Sequence, residues 1–132
     1  MAAREFSRAL LEERVQVPGP EHQATLAARD SLGMWTGEAG DAAGARDQFA
    51  ALLPVRERVS GPEHPYTLVT RGDLATWTGW AGNAAGARDQ YAALLPVVER
   101  VLGPGGPYTL RARHDLAYWT DKAANGSTPQ VE

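Results

Sequence analysis

His22, His64 and His114, with the carboxylates beside them, are the residues of this chain best suited by type to acid–base or metal chemistry. His22 and His64 each follow a glutamate, Glu21 and Glu63, a pairing able to hold a metal or pass a proton. The place 42 residues beyond His64 holds Gly105-Gly106, so the pairing does not recur. Both histidines stand just before helical stretches and read as structural caps. His114 lies inside a helical stretch beside Asp115, and one histidine with one carboxylate and no third ligand is a poor metal site. The run Gly37-Glu38-Ala39-Gly40-Asp41-Ala42-Ala43-Gly44 is glycine-rich like a phosphate loop, but it follows a helix and lacks the Gly-Lys-Ser/Thr ending. Ser7, Ser31, Ser60 and Ser127 share no nucleophile motif, and cysteine is absent, which removes thiolate chemistry and disulfides. The expectation is a chain with no catalytic residue, no metal site and no cofactor.

The elements that position these residues follow from repetition. Trp35, Trp77 and Trp119 stand 42 residues apart, as do Thr25-Leu26, Thr67-Leu68 and Thr109-Leu110, and the Gly-Pro pairs at 19, 61 and 103. The block Ala42-Ala43-Gly44-Ala45-Arg46-Asp47-Gln48 returns as Ala84-Ala85-Gly86-Ala87-Arg88-Asp89-Gln90. A fixed period of this length means stacked units, each burying its apolar face against its neighbours.

One unit reads as two helices. After Gly61-Pro62-Glu63-His64-Pro65, the apolar positions Leu68, Leu74, Ala75 and Trp77 share one helical face; this helix is termed A. Asn83, like Asp41 one unit earlier, suits the N-cap of a second helix, B. Ala84, Ala87, Tyr91, Leu94, Leu95, Val98 and Val101 form its apolar stripe. Pro54 and Pro96 fall inside the B stretches and either kink or break them. The pattern predicts a B helix over 3–17, then A over 23–37, B over 41–59, A over 65–79, B over 83–101 and A over 107–122. Partial units over 1–18 and 103–122 thus flank two full ones over 19–60 and 61–102, in one domain over 1–122 with a flexible polar tail over 123–132. The last A helix lacks a B partner. An armadillo-type unit has a similar length but three helices, and two per unit is the better count.

These residues resemble the tetratricopeptide repeat, in a long 42-residue form like that of kinesin light chains. The resemblance rests on Leu32-Gly33, Leu74-Ala75 and Leu116-Ala117 in helix A, on Ala45 with Phe49 and Ala87 with Tyr91 in helix B, and on the Gly-Pro-Glu-His-Pro connector. Thr36, Thr78 and Thr120 replace the usual aromatic, and Leu52 and Leu94 the usual late small residue. The Trp-Thr-Gly and Ala-Gly-Ala-Arg-Asp-Gln segments also resemble arrays attached to bacterial STAND-type (NB-ARC) NTPases. The resemblance implies an all-α, right-handed α-solenoid of antiparallel helix pairs, about six helices in all, acting as a non-catalytic protein-interaction module.

In that family the A helices line a concave groove. By resemblance the groove here would be lined by Asp30, Ser31, Met34, Asp73, Thr76, Trp80, His114, Asp115 and Tyr118. Ser31, Asp73 and Asp115 take the place of the usual asparagine, and the acids favour a basic or amine-bearing segment. Trp80 matches Glu38 and Lys122, so the repeat does not require its bulk; it is either an exposed anchor or a locally buried turn residue. Arg29, Arg71 and Arg113 also recur near acids (Asp30, Asp73 and Asp115). They suggest a salt-bridge ladder along the inner wall or a row of donors for a peptide.

Composition narrows the partners. The 132 residues carry a formal charge of −3, with Lys122 the sole lysine, which argues against a nucleic-acid partner. No signal-peptide pattern or 18-residue apolar run is present, so the expectation is a cytoplasmic chain with no membrane partner. The expected partner is a protein or peptide. A second reading is a homo-oligomer stacking through its uncovered terminal helices.

Overall fold

The computed structural model describes residues 19–125, which form five helices: α1 (Gln23–Glu38), α2 (Ala42–Ser60), α3 (Pro65–Trp80), α4 (Ala84–Leu102) and α5 (Pro107–Asn125). The helix predicted over 3–17 and the tail beyond 125 lie outside the described residues. Every predicted boundary falls within one residue of the observed one except the last. There α5 runs through Asn125, so residues 123–125 are helical where a tail is expected.

The starts of α1 to α4 are each set by a side chain that satisfies an orphan amide. Asp41 Oδ1 accepts from the Gly44 amide and Asn83 Oδ1 from the Gly86 amide, each at 2.8 Å. His22 and His64 are caps: their Nδ1 atoms accept from the amides of Ala24 and Tyr66 at 3.0 Å, which leaves the proton on Nε2. The B helices end at Gly61 and Gly103, whose φ angles of 105° and 89° suit glycine. Pro54 and Pro96 do not break their helices, which continue through them. Ala50 and Ala92, whose carbonyls lose their amide donor, are exposed, so water can take that place.

α2 packs on both α1 and α3, and α4 on both α3 and α5. The A-type helices α1, α3 and α5 also touch one another in sequence: Trp77 lies against Gly37 of α1, and Trp119 against Gly79 of α3. They therefore form one wall, with the B-type helices seated behind its furrows. Phe49, Leu26 and Leu52 fill the first interior; Leu68, Ala75, Tyr91, Leu94, Val98 and Trp119 fill the second.

Much of the recurrent wording bolts these layers together. Thr25 and Thr109 donate to the carbonyls of Gly19 and Gly103 at 2.7 Å, fixing each connector against the helix that follows. Thr36 and Thr78 donate back to Leu32 and Leu74, and accept from Gln48 and Gln90 Nε2 at 3.1 and 3.2 Å. Those bonds clamp each A helix to its own B helix.

The tryptophans do not all pack alike. A Cβ on Gly37 would lie 2.5 Å from the Trp77 ring, and one on Gly79 2.5 Å from Trp119, so each indole rests on bare backbone. Trp119 is 4% exposed, but Trp35 is 42% exposed, because no earlier A helix precedes it among the described residues. The 42-residue spacing of the tryptophans thus marks inter-helix packing at Trp77 and Trp119 but not at Trp35.

Candidate protein-interaction wall

On α3 the positions left open by this packing form one line: Tyr66, Val69, Asp73, Thr76 and Trp80, spaced by three and four residues. Residues at those spacings stack on one helix face. The matching lines are Ala27, Ser31, Met34 and Glu38 on α1, and Tyr108, Arg111, Asp115, Tyr118 and Lys122 on α5. Side by side, the three lines make a continuous face.

The residues expected on this face differ in what they are free to do. Ser31 and His114 are exposed. Met34 packs against the Phe49 cluster, and Thr76 bonds the Tyr91 hydroxyl. Since that hydroxyl donates to the Gly72 carbonyl at 3.0 Å, Thr76 is the donor to Tyr91. Asp30 is half-buried and bound to Arg56 at 2.6 Å. Asp115 is half-buried and lies 3.5 Å from Arg111. Asp73 has no hydrogen bond or ion pair among the described residues. Trp80 is 55% exposed, the highest value among the large apolar side chains described, so it is not a buried turn residue. Its ring meets Trp119 edge-on at 5.1 Å and Tyr118 at 6.0 Å, forming a shelf at one end of the face. Lys122 Nζ lies 5.4 Å above Tyr118 on the same shelf.

The arginine ladder does not form. Arg113 pairs with Glu99 of α4 at 2.8 Å. Arg29 lines a hollow of about 250 Å³ with Leu32 and Gln48, and Arg71 one of about 190 Å³ with Leu74 and Gln90. Both hollows sit at the seams with the B helices. The geometry explains this: Asp73 and Asp115 follow their arginines by two positions, which places them on opposite sides of the helix.

Asp30 is held by a residue that the sequence pattern did not single out. Arg56 is 3% exposed, bonds Gln23 and Asp30, and lies 5.2 Å over the Tyr66 ring. Its Nε has no partner among the described residues. The signal was present as a failure to recur, since the equivalent residue of the next unit is Val98. Tyr66, Val69 and Arg111 were also missed; extending the three-and-four spacing from Asp73 finds the first two, and from Asp115 the third.

Burial dominates the titration of this face. Burial raises the Asp30 carboxyl despite the opposing pull of Arg56. Burial and the Asp30 charge push Asp73 up to about 7, with Arg111 opposing. Burial also raises the hydroxyls of Tyr91 and Tyr108, which remain neutral donors. No group of three or more His, Cys, Asp or Glu residues that could hold a metal exists among the described residues, and no helix there is long and apolar enough to cross a membrane.

The tetratricopeptide repeat profile matches residues 25–66 and again 67–108, which together span more than half of the chain. The chain belongs to the tetratricopeptide repeat family. Its fold matches a crystal structure of nearly identical TPR-like repeats, of kinesin-light-chain type, from Podosopora anserina, with a TM-score of 0.81 at 20% identity. A singly substituted form of that protein matches equally, at the same TM-score and identity. Each alignment covers 93% of this chain and 57% of the other, so this chain spans little more than half the length of the solved relative. No curated protein matches the chain. The architecture is therefore an all-helical tetratricopeptide solenoid, a fold that generally serves as a protein-interaction scaffold.

Proposed function

We propose that this tetratricopeptide domain binds a peptide or neighbouring domain on the face made by α1, α3 and α5, without catalysis. Trp80 carries this reading. The repeat does not call for a tryptophan there, and most of the side chain is held in solvent on a braced aromatic shelf. Exposed indoles braced in this way are common anchors in protein interfaces. In a larger signalling protein the domain would act as a sensor segment, as the resemblance to STAND-linked arrays suggests; a nucleotide-binding domain in the same reading frame would support that role.

A peptide-display selection on the immobilised protein tests the face. Selected peptides should lose at least about tenfold in affinity for Trp80→Ala, the loss expected of an anchor residue, while helicity is unchanged. Peptides that bind the variant equally well would remove the face from the proposal.

A second reading has one observation in its favour. Ala117 and Thr120 of α5 are exposed, whereas their counterparts Gly33, Ala75, Thr36 and Thr78 are buried under B helices. A second copy could cover them, making a self-assembling module. Asp121 weighs against that arrangement, because it stands where Gly37 and Gly79 admit the next tryptophan. Light scattering at high concentration separates the readings: the groove reading expects a monomer and self-assembly expects concentration-dependent growth.

A further inference from the structure

The chemistry along the open line of α3 is uneven. Midway along it is Asp73, a half-buried carboxylate that still reaches solvent and has no ion pair or hydrogen bond among the described residues. The neighbouring acids differ, Asp30 being bound to Arg56 and Asp115 lying against Arg111. At its C-terminal end Trp80 lies on Trp119 and Tyr118. Seven helical residues separate Asp73 from Trp80, a rise of roughly 10 Å. An extended chain covers that distance in about three residues, at roughly 3.3 Å each.

Building on the proposed binding face, we infer that its occupant is an extended segment carrying a lysine or arginine three residues from an apolar or aromatic side chain. The cation pairs with Asp73 and the apolar group lies on the Trp80–Tyr118 shelf. Charge complementarity selects this occupant. A cation supplies the donor that Asp73 lacks, whereas an acidic side chain would meet the uncompensated charge of Asp73, with Asp30 and Asp115 already balanced by Arg56 and Arg111.

The groups around Asp73 set a pH dependence for that contact. Asp30 of α1, itself held by Arg56 of α2, and Tyr108 and Arg111 of α5 act on it directly, and Tyr91 of α4 and Asp115 of α5 adjoin Tyr108. With the Asp73 carboxyl pushed up to about 7, it gains its charge as pH rises through neutrality. The peptide cation stays charged throughout, so binding strengthens from pH 6 to pH 8.

An acetylated, amidated hexapeptide with lysine second and phenylalanine fifth is the probe, with glutamine and glutamate versions as controls. Titrations followed by NMR at the Trp80 indole N–H should show the lysine peptide binding about tenfold more tightly than the glutamine one, as expected for one charge-assisted hydrogen bond. The glutamate peptide should bind most weakly. Asp73→Asn should abolish both the lysine preference and the pH dependence, and Trp80→Ala should weaken all three peptides. If the three peptides bind alike, or the glutamate peptide binds best, the charge assignment is overturned and the binding face stands. If none perturbs Trp80 at millimolar concentration, the inference is also overturned, and the display selection then decides whether the face binds at all.

Discussion

Replacing Asp73 by asparagine should stabilise the fold, and the gain should grow with pH. The side chain is half-buried, lacks an ion pair among the described residues, and lies near the charge of Asp30. Its carboxyl titrates at about 7 in the folded chain against an ordinary 3.8. The folded state therefore holds the proton more tightly than the unfolded one. Below about pH 3.8 that preference contributes fully to stability, and it is lost progressively as pH rises to about 7. The gap of roughly three units corresponds to about 4 kcal/mol. Partial solvation of the group reduces this, and about 1–3 kcal/mol is the expected range at pH 8.

Asparagine matches the protonated carboxyl in shape and carries no charge, so the variant should equal the parent near pH 4 and exceed it at pH 8. Urea unfolding followed by circular dichroism at pH 4, 6, 7 and 8 measures the difference directly. Titrating groups common to both proteins cancel, except Asp30, which is also relieved when the neighbouring charge is removed and so reinforces the sign. A difference that stays flat from pH 4 to pH 8, or a variant less stable at pH 8, would refute the account of Asp73 as a charge held at the expense of the fold.

Two further outcomes follow from the packing. Gly79→Ala would put a methyl 2.5 Å from the Trp119 ring. The resulting overpacking, about 1–3 kcal/mol, should outweigh the roughly 1 kcal/mol that alanine gains in a helix, so thermal unfolding should show a lower Tm, and a raised Tm would contradict the stacking. Arg56→Ala should destabilise by about 3–5 kcal/mol, because it leaves Asp30 half-buried without its cation. The pair Arg56→Val with Asp30→Ala, which copies the valine of the next unit and removes the charge, should recover most of that loss in urea unfolding; no recovery would mean that the ion pair is not the source.

The fold was legible because it rests on local rules that the period repeats. Gly-Pro breaks, cap residues before helices, and apolar positions at helical spacing place the described helix boundaries to within a residue, apart from the end of α5. The caps at His22 and His64 follow from their place before a helix. The face was less legible, because its composition depends on the direction in which long side chains point. Arg29 and Arg71 recur as faithfully as the tryptophans, yet they line seams behind the wall. Arg56 reaches the wall from a B helix, which an inventory of A-helix positions does not include. Trp35 shares its surroundings with no earlier A helix among the described residues, so equal spacing does not give it the burial of Trp119.

Stability and recognition divide along the repeat. Thr25 and Thr109 fix connectors, Gln48 and Gln90 clamp each A helix to its own B helix, Gly37 and Gly79 seat the next tryptophan, and each recurs. Where the units differ, the substitution tends to work against the scaffold. Arg56 buries a charge where Val98 buries a hydrocarbon, and Asp73 places an unpaired carboxylate where Ser31 places a hydroxyl. Trp80 leaves an indole in water where Glu38 is well solvated. A solenoid unit designed only to stack would use the second member of each pair. Unpaired charge and exposed aromatic surface lie on one line of α3, on the same wall and flanked by layers held by recurrent bonds. This is the pattern expected when stability has been given up locally so that a partner can supply the missing contacts.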